Sequence, residues 1–283
     1  MMELSEYRRS KLIHYILTKQ NKDGGFTILK GMLPSMSSET FYAVSILKML
    51  KVEIPNKDKT INYLLDFQSA EGRYEGIFSA FYAVKTLSLF GLVPRNQKEA
   101  IETVLRYISR WKNIKEFYLG ILSPLETIYY SAEILALLGY EKAFDEIQKI
   151  ALRFLNGDGG FGIKNHSEII STYFALAMLH SIGYSLQKPE KTIHFVKRCQ
   201  NCGSVFAAAP GIYSLFIEDT YYGIKSLEFL GEKIEKPEKT FKFILGCQNS
   251  DGGFSRSASG GISTMENCFY TVNILNSINC MGK

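Results

Sequence analysis

Cysteine and proline are scarce in this sequence, with five cysteines and seven prolines among 283 residues. The few prolines and the lack of low-complexity stretches exclude a collagen-like, linker-rich or disordered chain. An odd number of cysteines leaves at least one unpaired, and a chain of this length can build its core without disulfides. A reducing compartment, and hence a cytoplasmic location, is therefore predicted.

Long apolar runs and dense blocks of one charge are also missing. The net charge of +5 comes from 33 basic and 28 acidic residues that are spread along the chain, so no nucleic-acid partner is expected. Segment 1–12 is charged where a secretory signal would have its apolar core. Segments 169–187 and 199–217 are uncharged but contain glycine and hydroxyl side chains, so no membrane span is predicted.

An internal repeat runs through the whole chain. Each copy has an aromatic and an aliphatic residue, three further residues, Gln, three residues, Gly, one residue and an aromatic. Segments 15–26, 63–74 and 243–254 match this spacing fully, and degenerate copies occupy 111–120 and two further segments. The anchor residues of the six copies are Gln20, Gln68, Trp111, Asn156, Gln200 and Gln248. Successive anchors lie 43 to 48 residues apart, which is typical of a repeat architecture.

Each repeat predicts two helices of different character. After the glycine loop comes an apolar segment that opens with a pair of aromatics, as at 40–43, 80–83 and 172–175. The other segment of each repeat is charged and carries helix-start signals, such as Lys-Pro-Glu at 188–190 and 236–238. Because a helix that is apolar on nearly all sides must be buried, the apolar helices are expected to form an inner ring and the charged helices an outer ring.

The repeats could form an open solenoid or a closed ring. An open solenoid needs atypical polar repeats at its two ends. The first and last glycine loops, at 20–26 and 248–254, are instead the most alike of the six. We therefore predict an all-α fold, a closed α6/α6 toroid that forms one domain over residues 1–283 from six helix-pair repeats.

The Gln-Asn-x-Asp-Gly-Gly-Phe loops, followed by Thr-Tyr-Tyr-Ala-like helices, resemble the prenyltransferase and squalene-cyclase repeat superfamily. The resemblance implies a central cavity that holds the substrate and is lined by aromatics of the inner helices. The residues implied are Tyr42, Phe81, Tyr82, Tyr129, Tyr130, Tyr173, Phe174, Tyr221, Tyr222, Phe269 and Tyr270. The alternative is that these rings simply fill the core. A cavity is expected because so many buried hydroxyls need partners that a solid core would rarely supply.

The resemblance to protein prenyltransferases implies a zinc ion that binds the acceptor thiolate. Their first motif, Arg-x-x-Lys-x-x-Asp-x-Cys-Tyr, aligns with segment 213–222. Asp219 is kept, but Tyr213 and Phe216 replace the two cations and Tyr221 replaces the cysteine. The phosphate-binding cations and one zinc ligand are thus missing.

The second motif of the transferases, Asp-x-Tyr-His, is also incomplete in this sequence. Asn267 replaces its Asp and Tyr270 replaces its His. A relocated site could combine Asp219 with Cys268 and His166, which have suitable ligand types. Zinc is not favoured, and no cofactor is predicted.

A second metal arrangement would use Cys199, Cys202 and Cys247. Cys199 and Cys247 occupy equivalent positions in two repeats, each just before Gln-Asn at the end of an outer helix. Small buried packing residues explain both, so a metal site is not predicted there either.

Class II terpene cyclases, the other branch of the resemblance, protonate their substrate with an acid from an Asp-x-Asp-Asp motif, which this sequence lacks. The nearest carboxylates are Glu218 and Asp219, with Glu126 and Glu266 at positions equivalent to Glu218 and with Glu39 equivalent to Asp219. Burial of such a group would raise its pKa and keep a proton available. The alternative is that these carboxylates cap the backbone N–H groups of helix starts.

The predicted function is isoprenoid handling: a polyprenyl (diphosphate) chain would lie in an aromatic central cavity, and the protein would act as a prenyl transferase or, second, as a cyclase without the usual zinc ligands. The alternative is a non-catalytic toroid that binds a lipid or a protein. A protein partner is expected on the apolar loop 205–216. The predicted catalytic residues are Asp219, Glu218 and Glu266. The predicted substrate-binding residues are Tyr42, Tyr82, Tyr129, Tyr130, Tyr173, Tyr221, Tyr222, Phe269 and Tyr270.

Overall fold

The computed structural model describes residues 2–113, 124–201 and 205–281. Within these ranges twelve α-helices alternate between an outer and an inner position. The outer helices are α1 (Glu6–Leu17), α3 (Lys57–Leu65), α5 (Gln97–Asn113), α7 (Phe144–Leu152), α9 (Glu190–Arg198) and α11 (Pro237–Gly246). The inner helices are α2 (Ser37–Met49), α4 (Ile77–Leu89), α6 (Pro124–Leu137), α8 (Ile169–Ser181), α10 (Ile217–Phe229) and α12 (Met265–Met281).

The inner helices form a closed ring. Each packs against the inner helix before it and the one after it, and α12 packs against α2. Most residues of an inner helix are buried, whereas α3, an outer helix, buries Thr60 and Leu64. The predicted closed α6/α6 toroid, with an apolar inner ring and a charged outer ring, is confirmed.

The repeat motif builds the turn between the outer and inner helix of a pair. The Gln and the aromatic residue of the motif are paired in an isolated β-bridge. These bridges join Gln20 to Phe26 and Gln248 to Phe254. In the fifth repeat the same pairing extends to a two-stranded antiparallel ribbon of β1 (Gln200–Asn201) and β2 (Val205–Phe206). A short 3-10 turn at Glu141–Ala143 precedes α7. The third-repeat motif at 111–120 lies for the most part outside the described residues.

The first glycine of the Gly-Gly pair in the repeat motif allows the turn to touch the next outer helix. Gly24 has φ of +89°, and a Cβ there would lie 2.4 Å from the backbone nitrogen of Thr60 in α3. Gly252 has φ of +92°, and its Cβ would lie 2.4 Å from the carbonyl oxygen of Lys11 in α1. A side chain at either position would strain the backbone and push two repeats apart.

The aspartate of the motif fixes the turn from inside. Asp23 accepts hydrogen bonds from the Gly25 N–H at 2.9 Å and from the Ser35 hydroxyl at 2.9 Å. Asp251 makes the equivalent contacts with Gly253 and Ser263. These motif residues therefore serve the scaffold, and they hold the turns that lead into α2 and α12.

Candidate functional site

Two aromatic positions on each inner helix meet at the centre of the ring. The twelve rings belong to Phe41, Tyr42, Phe81, Tyr82, Tyr129, Tyr130, Tyr173, Phe174, Tyr221, Tyr222, Phe269 and Tyr270. Neighbouring rings are in direct contact around the whole circle. Phe81 stacks on Tyr130 with centroids 4.1 Å apart, and Tyr221 stacks on Tyr270 at 4.6 Å.

The space that remains between the twelve rings is about 100 Å³. Pockets for small molecules usually measure about 300–1,000 Å³. The expectation of a substrate-sized central cavity is therefore wrong for the described residues, because the aromatic side chains occupy the volume themselves. Their role in substrate binding stays a prediction.

The tyrosine hydroxyls find partners inside this core. Tyr42 and Tyr82 share a hydrogen bond of 2.9 Å, and Tyr222 and Tyr270 share another of 2.9 Å. Tyr173 and Tyr221 are paired at 3.2 Å. The argument that a solid core would leave these hydroxyls without partners fails, since a tyrosine hydroxyl can both donate and accept.

Two further tyrosines are held by charged groups. Tyr130 donates to Glu126 Oε1 at 2.7 Å. Lys85 Nζ donates to the Tyr129 hydroxyl at 3.3 Å and forms an ion pair with Glu133 at 2.5 Å. Burial raises the pKa of Tyr129 well above its ordinary value, so this hydroxyl is neutral at physiological pH.

A larger space opens at the pole of the ring where the inner helices begin. This pole cleft has a volume of about 740 Å³. Its lining residues are Glu168, Ile170, Ala208, Phe216, Glu218, Asp219, Tyr222, Arg256, Ser257, Gly260, Gly261, Ile262, Thr264, Glu266, Asn267 and Tyr270. The three predicted catalytic carboxylates, Glu218, Asp219 and Glu266, are thus brought together here, with two of the predicted substrate-binding tyrosines.

Glu266 and Glu218 are engaged by other side chains. Glu266 Oε1 accepts hydrogen bonds from the hydroxyls of Tyr42 at 2.9 Å and of Tyr270 at 2.8 Å. Glu218 forms an ion pair with Arg256 through Oε1. The guanidinium of Arg256 also lies 3.8 Å from the centre of the Phe216 ring. These contacts hold both side chains in place, while Oε2 of Glu218 is buried without a hydrogen-bond partner among the described residues.

Asp219 differs from its neighbours. Its side chain is only 7% exposed, and its hydrogen bond within the described residues is a long one of 3.5 Å from the Ser214 hydroxyl. Burial, reinforced by the charge of Glu218, raises the pKa of Asp219 to about 6. Asp219 can therefore exchange a proton near neutral pH.

The alternative interpretation expected these three carboxylates to accept hydrogen bonds from the backbone N–H groups of helix starts. They do not do so. In the described structure each of them contacts another side chain rather than a backbone N–H group. At the start of α12 it is the Thr264 hydroxyl that accepts from the backbone N–H of Asn267.

Glu39, the equivalent of Asp219 in the first repeat, is not a lining residue of the pole cleft. Burial raises its pKa to about 7, with Lys19 opposing and Glu266 reinforcing the shift. Lys19 is itself buried, and its Nζ donates to the Tyr15 hydroxyl at 2.5 Å. Burial lowers the pKa of Lys19. The Tyr15 hydroxyl in turn donates to the backbone carbonyl of Ser263 at 2.9 Å, which joins the first repeat to the last.

The residues at the implied zinc positions do not fit a metal ion. Tyr221 and Tyr270 are buried phenols that are hydrogen-bonded to other tyrosines. Among residues 2–113, 124–201 and 205–281, no three His, Cys, Asp or Glu side chains are placed to hold a metal. The relocated set of Asp219, Cys268 and His166 is not assembled. Cys202, of the other arrangement, lies outside the described residues.

Sequence reasoning missed Arg256, Glu168 and the apolar wall of Ile170 and Ile262. No motif marks these positions, because they come from loops and helix starts that meet only in the folded ring.

Nothing in the described part of the chain is a helix both long and apolar enough to cross a membrane.

Solved structures of low sequence identity share this architecture. Candida albicans protein geranylgeranyltransferase-I complexed with GGPP superposes with a TM-score of 0.68 at 15% identity, over 98% of this chain and 92% of that chain. The type II terpene cyclase MstE from Scytonema gives 0.61 at 12% identity, over 96% of each chain. A variant of that cyclase in complex with geranylgeranyl dihydroxybenzoate gives 0.62 at 13% identity, over 96% of this chain and 95% of that chain.

At these identities the solved structures establish the fold alone. No curated protein sequence matches the chain significantly. The family model described as the prenyltransferase alpha-alpha toroid domain matches residues 1–116, 76–263 and 217–282, and so spans almost the whole chain. The six-repeat ring of inner and outer helices is the structural counterpart of that match, and the chain belongs to the prenyltransferase alpha-alpha toroid domain family.

Proposed function

We propose that this protein handles an isoprenoid ligand in the pole cleft, and that Asp219 exchanges a proton with it. The volume of about 740 Å³ suits a small apolar molecule. Ile170, Phe216 and Ile262 supply apolar wall, and the rings of Tyr222 and Tyr270 supply aromatic wall. The proteins of similar fold that carry GGPP or geranylgeranyl dihydroxybenzoate support an isoprenoid as the ligand class.

The observation that carries the proposal is that Asp219 is buried in the pole cleft and has a raised pKa. A general acid works best when its pKa lies near the pH at which it operates. Asp219 meets this condition, with a pKa of about 6, because it is buried beside Glu218. An apolar ligand above it would exclude water and favour the protonated carboxyl further. Such a carboxyl can protonate an alkene or an epoxide, which is chemistry of the cyclase type.

Transfer of a diphosphate-activated prenyl group has less support. Tyr213 and Phe216 stand where the resemblance implies phosphate-binding cations. Tyr213 is 86% exposed, and Phe216 lies under the Arg256 guanidinium. Neither side chain can neutralise a phosphate, so we favour the cyclase type over the transferase type.

Deuterium transfer tests the proposal. The protein is incubated with farnesol or geranylgeraniol, whose alkenes would take the deuteron on carbon, in D₂O at pH 6, and the recovered isoprenoid is analysed by mass spectrometry. We expect carbon-bound deuterium with the wild type, and at least about a hundredfold less with Asp219→Asn, which removes the acid. Asp145→Asn, on the exposed side of α7, is the matched control and should behave as the wild type does.

The alternative, a non-catalytic toroid, is favoured by the filled ring centre and by its internally paired tyrosines. Retention of an isoprenoid in native mass spectrometry, without deuterium transfer, would support it and would remove the catalytic part of the proposal.

Loop 205–216 exposes Ile212, Tyr213 and Leu215. A protein partner on this loop and a cytoplasmic location stay predictions.

A further inference from the structure

The pole cleft is negatively charged, although the chain as a whole has a formal net charge of +5. The charged side chains among its described lining residues are Glu168, Glu218, Asp219, Glu266 and Arg256. Four carboxylates against one guanidinium give this lining a formal charge of −3, or −2 when Asp219 is protonated. A cleft that is lined by one sign of charge concentrates the field and attracts ligands of the opposite sign. The charges therefore favour a cationic ligand.

Two carboxylates at the start of α10 lack hydrogen-bond donors that burial calls for. Oε2 of Glu218 is buried and has no partner among the described residues. Asp219 is more than nine-tenths buried and faces the cleft. Within the described structure its Oδ1 accepts no hydrogen bond, and its Oδ2 accepts a long one of 3.5 Å from the Ser214 hydroxyl. A buried carboxylate oxygen without a donor costs free energy, and the N–H groups of a bound cation would supply the missing donors.

The other two carboxylates extend the negative charge to neighbouring helices. Glu266, in the first turn of α12, uses Oε1 to accept from Tyr42 and Tyr270. Glu168 precedes α8 and is exposed at the rim of the cleft. Helices α8 and α12 both pack against α10, and packed helices lie about 8–10 Å apart. The carboxylates are therefore spread over the starts of three helices.

This spread does not suit a single metal ion, which needs its ligands around one point. In the ranges 2–113, 124–201 and 205–281, no group of three metal-ligating side chains is placed to hold one. A linear organic polycation meets the arrangement better, because its ammonium groups are separated along the chain. Ile170, Phe216 and Ile262 lie on the wall of the cleft and would contact the methylene groups between the charges.

Arg256 shows how the cleft holds a cation. Its guanidinium forms an ion pair with Glu218 and lies 3.8 Å from the centre of the Phe216 ring. A cation over an aromatic face is stabilised by the ring quadrupole. The Arg256 side chain is 60% exposed, so a ligand can displace it from this position. Tyr222 and Tyr270 add further aromatic rings to the same wall.

We propose that the pole cleft binds a linear polyamine, whose ammonium groups pair with the carboxylates at the starts of α8, α10 and α12. This inference goes beyond the proposed isoprenoid function and does not rest on it. If both ligands bind in the cleft, they compete. A polyamine would also oppose proton donation by Asp219, because a neighbouring ammonium group favours the ionised carboxylate.

The groups around Asp219 determine how binding depends on pH. They are Glu218 on its own helix, Arg256 on the loop before α12, Glu168 before α8, and the thiol of Cys199. Burial raises the pKa of Asp219 to about 6, the two glutamates reinforce the shift and Arg256 opposes it. Burial raises the pKa of Cys199 to about 12, so this thiol stays neutral. A bound ammonium group lowers the pKa of Asp219, so binding releases a proton and strengthens as the pH rises from 5 to 7.5.

Titration calorimetry with spermidine, butylamine and MgCl₂ tests the inference. At pH 7.5 and 0.15 M salt we expect spermidine to bind at least about tenfold more tightly than butylamine or Mg²⁺. Its affinity should fall with added salt, which screens the carboxylates. Its affinity should rise several-fold between pH 5 and pH 7.5, over which alkylammonium groups stay charged. Titrations in two buffers of different ionisation enthalpy should show proton release.

A variant that gains affinity locates the site. Arg256→Gln removes the one cation among the described lining residues and releases Glu218, so it should bind spermidine at least about threefold more tightly. Loss of folding cannot produce this result. Lys239→Gln removes an equal charge from an exposed position on α11 and is the matched control. An equal gain in both variants would show a general charge effect and would overturn the cleft as the site.

A second variant tests the role of Asp219. Asp219→Asn should bind spermidine at least about threefold more weakly at pH 7.5, and without proton release. Asp145→Asn, at an exposed position on α7, should behave as the wild type does. Circular dichroism checks that each variant is folded. Unchanged affinity and proton release in Asp219→Asn would overturn the pairing of the ligand with this carboxylate.

The remaining outcomes are equally distinct. Binding of Mg²⁺ as tight as that of spermidine would show that charge alone attracts the ligand, and would overturn the polyamine. Lack of spermidine binding to folded protein would overturn the inference as a whole. The proposed isoprenoid function would survive either result, since deuterium transfer tests it without a polyamine.

Discussion

The side-chain amide of Gln248 donates a hydrogen bond of 3.1 Å to the backbone carbonyl of Arg8, 240 residues earlier in the chain. The guanidinium of Arg8 donates back to the Gln248 side-chain oxygen at 3.0 Å. Gln20 donates to the carbonyl of Pro55 and Gln68 to that of Asn96, in each case before the next outer helix. The last repeat therefore joins the first by a contact similar to those that join the first repeat to the second and the second to the third.

Loss of this contact should weaken the closed ring. Gln248→Ala leaves the carbonyls of Arg8 and Gly252 without the amide that both accept from. We expect the free energy of unfolding, measured by urea denaturation, to fall by about 1–3 kcal/mol. Gln187→Ala, at an exposed position, should change it by less than about 0.5 kcal/mol. Equal effects of the two substitutions would show that the ends are held together by other contacts.

The raised pKa of Asp219 makes stability depend on pH. The pKa rises from 3.8 to about 6 on folding, so the native state binds the proton more tightly, and the wild type loses stability as the pH rises from about 4 through about 6. Asp219→Asn removes this loss. It should match the wild type below pH 4 and exceed its unfolding free energy by on the order of 1–3 kcal/mol at pH 7–8. Thermal melts across this pH range measure the difference in stability between Asp219→Asn and the wild type. A difference that is the same at every pH would contradict the prediction.

The hydroxyl of Tyr42 connects two inner-ring neighbours. It shares a hydrogen bond with Tyr82 and donates to Glu266, 224 residues away. Tyr42→Phe removes both contacts from a buried site and should cost about 1–3 kcal/mol of unfolding free energy. Tyr7→Phe, at a residue that is 68% exposed, is the matched control and should be nearly neutral. A neutral Tyr42→Phe would mean that the hydroxyl network adds no stability.

The filled ring centre predicts the effect of removing one of its rings. Phe81 stacks on Tyr130, and Phe81→Ala should cost about 3–5 kcal/mol, because the transfer free energy is lost and a cavity remains. The new apolar cavity should bind benzene, which would raise the melting temperature of the variant but not that of the wild type. Stabilisation of the wild type by benzene would show that its centre is already open.

The metal content can be measured directly. Protein purified without chelator is expected to contain far less than one zinc per chain, because phenols occupy the implied ligand positions at Tyr221 and Tyr270. Elemental analysis checks this. About one zinc per chain, lost on replacement of Asp219 or Cys268, would contradict the expectation and support a protein prenyltransferase.

The pattern of the sequence was sufficient to predict the ring. The six anchors predicted six helix pairs, and the charge of each segment predicted whether its helix lies in the inner or the outer ring. The similarity of the loops at 20–26 and 248–254 predicted that the ring closes. These features are readable because each is local, and because the turn at 20–26 recurs with nearly the same residues at 248–254. The clustering of Asp219, Glu218 and Glu266 at one pole followed from their equivalent positions at inner-helix starts.

Only the tertiary structure decided how the centre of the ring is used. Twelve aromatic rings leave a cavity or fill it depending on the distance between helices and on the side-chain rotamers, which no local pattern encodes. The partners of the carboxylates are equally non-local, since Glu266 meets Tyr42 across the seam and Glu218 meets Arg256 from the following loop. The pole cleft, and the raised pKa of Asp219 within it, arise from burial that exists only after the ring has closed.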